Sequence, residues 1–228
     1  MSHMVHLPVI PFLHMVNLPE GIETIEKEAF FGNGKLLYIN LPMTITEIGE
    51  SAFANCENLK EINLNEAKNI DDYAFTNTAL SNISIPKKTK YIGEYAFANI
   101  PSLAEVTIEE NTSIYEDDEA AIIDQYAFSN TGINSIIVPA QYDSVGYCAF
   151  QNCNNLITFT LIDSQKNYKS QHIDSAAFMA CDSLQDIYLP VTIESFEGFE
   201  TENMNYTIHS SNQDVINWCQ QNKIAIEE

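Results

Sequence analysis

Apolar positions along this chain follow neither a plain helical period nor a plain strand period, but return in a fixed block. The dipeptide Ala-Phe occurs seven times, ending at Phe30, Phe53, Phe75, Phe97, Phe128, Phe150 and Phe178, in steps of 23, 22, 22, 31, 22 and 28 residues. Five residues before each Phe stands a β-branched residue: Ile25, Ile48, Ile70, Ile92, Ile123, Val145 and Ile173. After most of them come Asn and then Leu or Ile, followed by a short alternating run. The unit reads I-x-x-x-A-F-x-N-C-x-x-L-x-x-I-x-L-P, and a self-similar unit of this length predicts a stack of repeats.

The alternating runs predict strands at 16–18, 39–41, 62–64, 83–85, 106–108, 136–138, 159–161, 187–189 and 206–208. In each, the flanking residues point inward and the middle one outward, as the two-residue period of a half-buried strand requires. One copy buries too little apolar surface to fold alone, and stacking joins the copies into one core. Successive strands then run parallel, about 4.8 Å apart. Pro19, Pro42, Pro86, Pro139 and Pro190 each follow a strand and, lacking an N–H, end its ladder. The two long steps hold extra segments, an acidic one at 109–121 and a polar one at 163–172, expected to protrude as loops. Past residue 198 the pattern stops. A helix over 210–222 is expected, capped by Ser210 with acidic Asp214 behind it, burying Val215, Ile216, Trp218 and Cys219 against the open end of the core. The division is therefore 1–15, an N-terminal segment whose Met1-Ser2-His3-Met4 reads as a cloning scar; 16–198, a solenoid of seven to eight copies; and 199–228, a C-terminal cap.

The repeated unit resembles the bacterial surface antigen (BspA-like) type of leucine-rich repeat over about residues 16–198. The resemblance implies a leucine-rich-repeat solenoid with parallel short strands on one face and turns and short strands on the other. It also implies a surface-attached or secreted protein, of a kind thought to bind host matrix proteins or other cells, with no catalytic residues to carry over.

Composition narrows the partners. With 45% hydrophobic residues, 12 Phe and 11 Tyr, a packed core is expected. Acidic residues number 32 against 10 basic ones, all lysine, for a formal charge of −22. Such a surface repels nucleic acid and anionic lipid and attracts cations or a basic protein. No run of 18 apolar residues is present to span a membrane. The apolar run 5–13 is broken by Pro8 and Pro11 and lacks the flanks of a signal peptide.

Candidate chemistry is sparse. The five cysteines, Cys56, Cys148, Cys153, Cys181 and Cys219, form no C-x-x-C pair, and the odd count excludes a complete internal disulfide framework. Cys56, Cys153 and Cys181 share one repeat position with Asn33, Thr78, Ile100 and Thr131, which marks a small buried slot. Cys153 and Cys181 fall in neighbouring copies, bridged or as free buried thiols, the latter being expected. Cys148 takes the place of Tyr73, Tyr95 and Tyr126 in another column read as packing. Asn55, Asn77, Asn99, Asn130 and Asn152 form a further column, expected to be buried and to bond neighbouring turn backbones. His3, His6 and His14 near the start offer metal-ligating side chains, but a metal site there is not expected. The carboxylates Glu109, Glu110, Glu116, Asp117, Asp118 and Glu119 lack the spacing of a calcium site. The acidic segment is expected to be a mobile, solvated loop without tight calcium. No cofactor, metal or catalytic residue is assigned, and an enzyme is not expected.

What remains is a surface. The outward strand positions are Asn17, Asn40, Asn63, Ser84, Thr107, Ile137, Thr160, Tyr188 and Thr207, beside Tyr38, Glu61, Asn82, Glu105, Ser135, Thr158 and Asp186. Candidate partner-binding residues are Tyr38, Asn40, Asn63, Glu105, Ile137 and Tyr188. The expectation is a monomeric, extracellular or cell-surface module for protein binding or adhesion; the alternative is a structural spacer of a larger surface protein with no partner of its own.

Overall fold

A computed structural model describes residues 3–5, 14–111, 120–163, 171–174, 176–196 and 206–227. The acidic segment expected to be a calcium-free loop lies mostly outside them, as do His6, most of 163–172 and residues 197–205.

Each copy of the repeat makes one rung with three sides. The first side holds the strands expected from the alternating runs, seen as Met15–Asn17, Tyr38–Asn40, Glu61–Ile62, Asn82–Ile85, Glu105–Ile108, Ser135–Val138, Thr158–Leu161, Asp186–Tyr188 and Thr207–His209. The second side begins at the β-branched column. Its strands, Ile22–Ile25, Glu47–Ile48, Asn69–Ile70, Tyr91–Ile92, Ala121–Ile123, Tyr142–Val145, Gln171–Ile173 and Ile193–Ser195, with His3–Val5 at the edge, form one parallel nine-stranded sheet. The third side is the row of Ala-Phe turns.

Burial follows the period-2 rule. Ile39, Ile83, Val106, Ile136, Phe159 and Ile187 point inward, while Asn40, Ser84, Thr107, Ile137 and Tyr188 are exposed. The seven Phe rings stack along the axis. Phe53, Phe75 and Phe97 lie 5.1–5.2 Å apart, centroid to centroid, with their planes within 8°. Aromatic pairs of this kind add roughly 0.5–1.5 kcal/mol each beyond the area they bury. The turns also hydrogen-bond to one another. Phe53 N–H donates to the Ala74 carbonyl at 2.8 Å, Phe75 to Ala96 at 2.7 Å and Phe97 to Ala127 at 2.8 Å.

The strand side is less regular than the sequence predicts. It is divided into three sheets, with breaks between Glu61–Ile62 and Asn82–Ile85 and between Glu105–Ile108 and Ser135–Val138. Between the second and third strands, one rung before the first break, a side chain has entered the ladder. Leu18 N–H donates to the Asn40 carbonyl at 3.1 Å, but Leu41 N–H, one rung on, donates to the Asn63 side-chain oxygen at 3.1 Å. Asn63 stands in for its own backbone and the strand stops at Ile62. This copy also lacks the terminal proline. Asn65, in left-handed backbone at φ 49°, donates instead to the Leu41 carbonyl at 2.6 Å. The second break falls at the 31-residue step.

The end of the chain differs from expectation in three ways. The helix is Gln213–Asn222, and its N-cap is Asn212, whose side chain accepts from Asp214 and Val215 N–H, not Ser210. Val215, Ile216 and Cys219 are buried but Trp218 is only partly so, standing edge-on to Phe196 at 5.5 Å. After the helix, Ala225–Glu227 returns as a strand and pairs in parallel with Thr207–His209. The short Ile-Ala-Ile run at 224–226 is apolar enough for a strand, but no repeat announces it.

Candidate interaction surface

The strands set two outward columns on one face. Register runs Tyr38 to Glu61, and Asn17 to Asn40. Further on it runs Ser135 to Thr158 to Asp186, and Ile137 to Thr160 to Tyr188. In the last rung Ile187 pairs with Ile208 and Tyr188 with His209. The outward column therefore ends in His209 and Glu227, and Thr207 belongs to the other column, behind Asp186. The strand register is thus two residues from the expected one, with Thr207 still facing outward. The inward residue after His209 is Ser210, a buried polar residue where other rungs carry Leu, Ile or Val, so hydropathy hid the register.

The six candidate residues fall into three groups. Tyr38, Asn40 and Asn63 line a shallow depression of about 620 Å³ along the first three strands, closed by Asn82 across the first break. Asn40 donates to the Asn17 side-chain oxygen at 3.1 Å, so these amides form a short ladder. Glu105 and Ile137 line a second depression of about 670 Å³ at the second break, together with Ile162 and Pro139. Ile137 is 59% exposed there. Tyr188 belongs to neither depression. Its ring, 41% exposed, stacks on the His209 imidazole at 4.2 Å and 11°. His209 Nε2 lies 2.8 Å from Asp186 Oδ1, and Nδ1 3.4 Å from Glu227 Oε2. His209, Glu227 and Ile162 were not singled out from the sequence.

Both inserted segments are tethered at their roots beside this face. Gln141 donates to the Glu109 carbonyl at 2.8 Å and accepts from Asn111 N–H at 3.2 Å. Gln171, fully buried, donates to the Ile162 carbonyl at 2.9 Å, and Thr192 donates to Asp163 at 2.8 Å.

The cysteine column is packing. Cys56, Cys153 and Cys181 donate to the carbonyls of Phe30, Phe128 and Phe150 at 3.0, 3.2 and 3.0 Å, as Thr131 does to Phe128 at 2.8 Å. All five cysteines are free. Burial pushes the Cys56 thiol up to about 12, and the hydrogen bond to Cys153 together with burial raises Cys181, so neither is a ready thiolate. The asparagine column departs from expectation. Asn55, Asn77, Asn99, Asn130 and Asn152 all sit in left-handed backbone at φ 57–59° and are partly or fully exposed. Their amides bond one another, Asn77 to Asn55 at 2.7 Å, Asn130 to Asn99 at 2.9 Å and Asn152 to Asn130 at 2.9 Å. Asn is selected because it tolerates that conformation.

Comparison with known proteins agrees with this architecture. The family profile described as BspA type leucine rich repeat region, in 6 copies, matches residues 12–118 and 110–226. No curated protein sequence matches the chain. Among solved structures, the pneumococcal vaccine antigen PcpA is similar at 16% identity and a TM-score of 0.57, covering 95% of this chain and 68% of that one. The leucine-rich-repeat protein of T. pallidum is similar at 17% identity and a TM-score of 0.55, covering 98% of this chain and 88% of that one. No helix among the described residues is long and apolar enough to cross a membrane.

Proposed function

We propose that this chain, which belongs to the BspA-type leucine-rich-repeat family, is a protein-binding or adhesion module of a cell-surface or secreted protein and engages its partner through the outward strand face. The observation that carries the reading is the set of large exposed groups on the strand face. Ile137 and Ile162 rim one depression and Tyr38 the other, while Tyr188 stands on an unbroken part of the face, stacked on His209 of the next rung. Aromatic and apolar groups of this kind anchor interfaces, while neighbouring Asn, Ser and Thr supply adaptable hydrogen bonds. The face is held by packed rungs, so little ordering entropy is lost on binding. At −22 the molecule favours a basic partner, and added salt slows that association.

The rigid nine-stranded sheet behind the face also suits the second reading, a spacer with no partner of its own. A pull-down from host matrix and cell-surface extracts, read by mass spectrometry, separates the two. Capture by the wild type that is lost in the double variant Ile137→Ser, Tyr188→Ala supports the strand face. A partner retained by the double variant moves the site elsewhere, and no partner at all favours the spacer.

A further inference from the structure

The row of Ala-Phe turns carries a second ordered surface, made by the residue two positions before each Phe. Tyr73, Tyr95 and Tyr126 occupy that position in left-handed backbone, at φ 58°, 54° and 56°. Their rings stack, with centroids 5.1 and 4.6 Å apart and planes 11° and 4° from parallel. One end of the stack is closed by Tyr147, edge-on to Tyr126 at 5.6 Å and 83°. At the other end the column continues with Ser51, also left-handed at φ 54°. Its N–H donates to the Asp72 carbonyl at 2.9 Å, so the rung is in place. A hydroxymethyl group there is too small to cover a ring, and Tyr73 is 39% exposed.

Acidic groups run beside the stack. One residue earlier in each turn stand Glu50, Asp72 and Glu94, chain neighbours of Ser51, Tyr73 and Tyr95. Asp72 Oδ1 is fixed by Glu94 N–H at 2.9 Å and by the Tyr91 hydroxyl at 3.0 Å. Glu50 is met by Lys27 at 2.8 Å, an ion pair with both side chains about half exposed. Partial burial, then Glu94, Tyr95, Asp72 and Glu50, raise the Tyr73 hydroxyl above its ordinary value, as expected of a ring in negative potential.

We propose that the notch over Ser51 is a binding site for an arginine side chain of a partner protein, its guanidinium stacked on the open face of Tyr73 and paired with Glu50. A guanidinium is planar, weakly hydrated and permanently charged, so it stacks on an aromatic face and bonds carboxylates at once. A lysine ammonium gains the charge but not the stacking, and a neutral planar group or sugar the reverse. The chain contains no arginine, so its own side chains cannot fill the site in this way. Lys27 competes only through an exposed ion pair, which is readily exchanged. The site lies on a different side of the solenoid from the strand face and does not depend on that reading.

The test is calorimetric titration of the full chain with a short Gly-Arg repeat peptide and its lysine and citrulline counterparts. The arginine peptide binds saturably, about threefold or more tighter than the lysine peptide, and the citrulline peptide does not bind. Tyr73→Ala weakens binding about tenfold and Tyr73→Phe preserves it. Ser51→Tyr blocks it by extending the stack, and because three rungs already hold Tyr at this left-handed position the variant keeps its fold, checked by circular dichroism. Equal affinity for arginine and lysine peptides, unchanged by Tyr73→Ala, means bulk charge alone and overturns the proposal. So does unchanged binding in Ser51→Tyr, or preference for the neutral peptide or a methyl glycoside.

Discussion

The turn side and the strand side of this solenoid are built from the same repeats, yet one is regular and the other broken. Along the turns, stacked Phe rings and backbone hydrogen bonds continue from rung to rung, and asparagine amides bond in two runs, Asn55 to Asn77 and Asn99 through Asn130 to Asn152. Along the strands, the ladder is interrupted twice and a depression spans each interruption. The difference lies in what each side must do. A turn rung holds two residues in left-handed backbone, a strained arrangement that persists only if neighbouring rungs fix it. A strand rung adopts ordinary extended backbone and survives the loss of a few ladder bonds.

The comparison breaks most readily in the core behind the turns. Phe75→Ala removes a ring stacked on both sides and should cost about 3–5 kcal/mol, whereas Tyr188→Ala should cost less than about 1 kcal/mol. Urea unfolding of the two variants gives the answer, and similar losses would erase the distinction. Removing residues 210–228 comes next. It uncovers Ile208 and the edge of Thr207–His209, so light scattering should report aggregation. A truncated chain that stays monomeric with the wild-type midpoint would show that the last rungs need no cover.

Binding inverts the ranking. With a captured partner, Ile137→Ser or Tyr188→Ala should each weaken affinity by about tenfold, and Asn40→Ala or Asn63→Ala by less. Surface plasmon resonance orders them, and an Asn variant more damaging than both would move the anchor. A smaller effect sharpens the turn side itself. Asn77→Ala should cost about 1–2 kcal/mol, because Ala resists φ 57° and the bond to Asn55 is lost, while Asn77→Gly should be milder. Equal unfolding midpoints for the two would assign the column to the amide ladder and not to backbone conformation.

The smallest expected effect is electrostatic. Burial first, then Glu47, Asp72 and Glu50, raise the Asp71 carboxyl above its ordinary 3.8. The folded chain therefore takes up a proton at higher pH than the unfolded one. Stability from this group rises as pH falls through the raised value and levels off below 3.8. Asp71→Asn should flatten that part of the profile, read as the unfolding midpoint against pH, and an unchanged slope would locate it in another carboxylate.

Much of the fold is legible in the sequence because a block of about 22 residues leaves its apolar positions one arrangement in which all are buried. Ile48, Ala52, Phe53 and Leu59 can be covered only by their counterparts one rung away. The candidate surface is legible only in outline. Alternation identifies Tyr38, Ile137 and Tyr188 as outward, but grouping them required knowing where the ladder breaks. Nor does any hydropathy pattern encode the Asn63 side-chain oxygen that takes a backbone bond within the first sheet. His209 was missed because Ser210 fills an inward place usually held by an apolar residue. From sequence alone the tyrosine column reads as packing, because a residue so near a buried Phe looks inward until its positive φ is known.

The repeats alone specify the stacked parallel rungs over the seven Ala-Phe copies and their inward columns, since burying apolar surface is non-directional and the spacing enforces it. Where the strand ladder opens, which tyrosines stack, which ring face stays uncovered and which carboxylates stand beside it follow from the folded arrangement alone. Those outcomes rest on directional hydrogen bonds and backbone dihedrals between residues 22 to 31 positions apart, and such relations come into being only once the rungs are stacked.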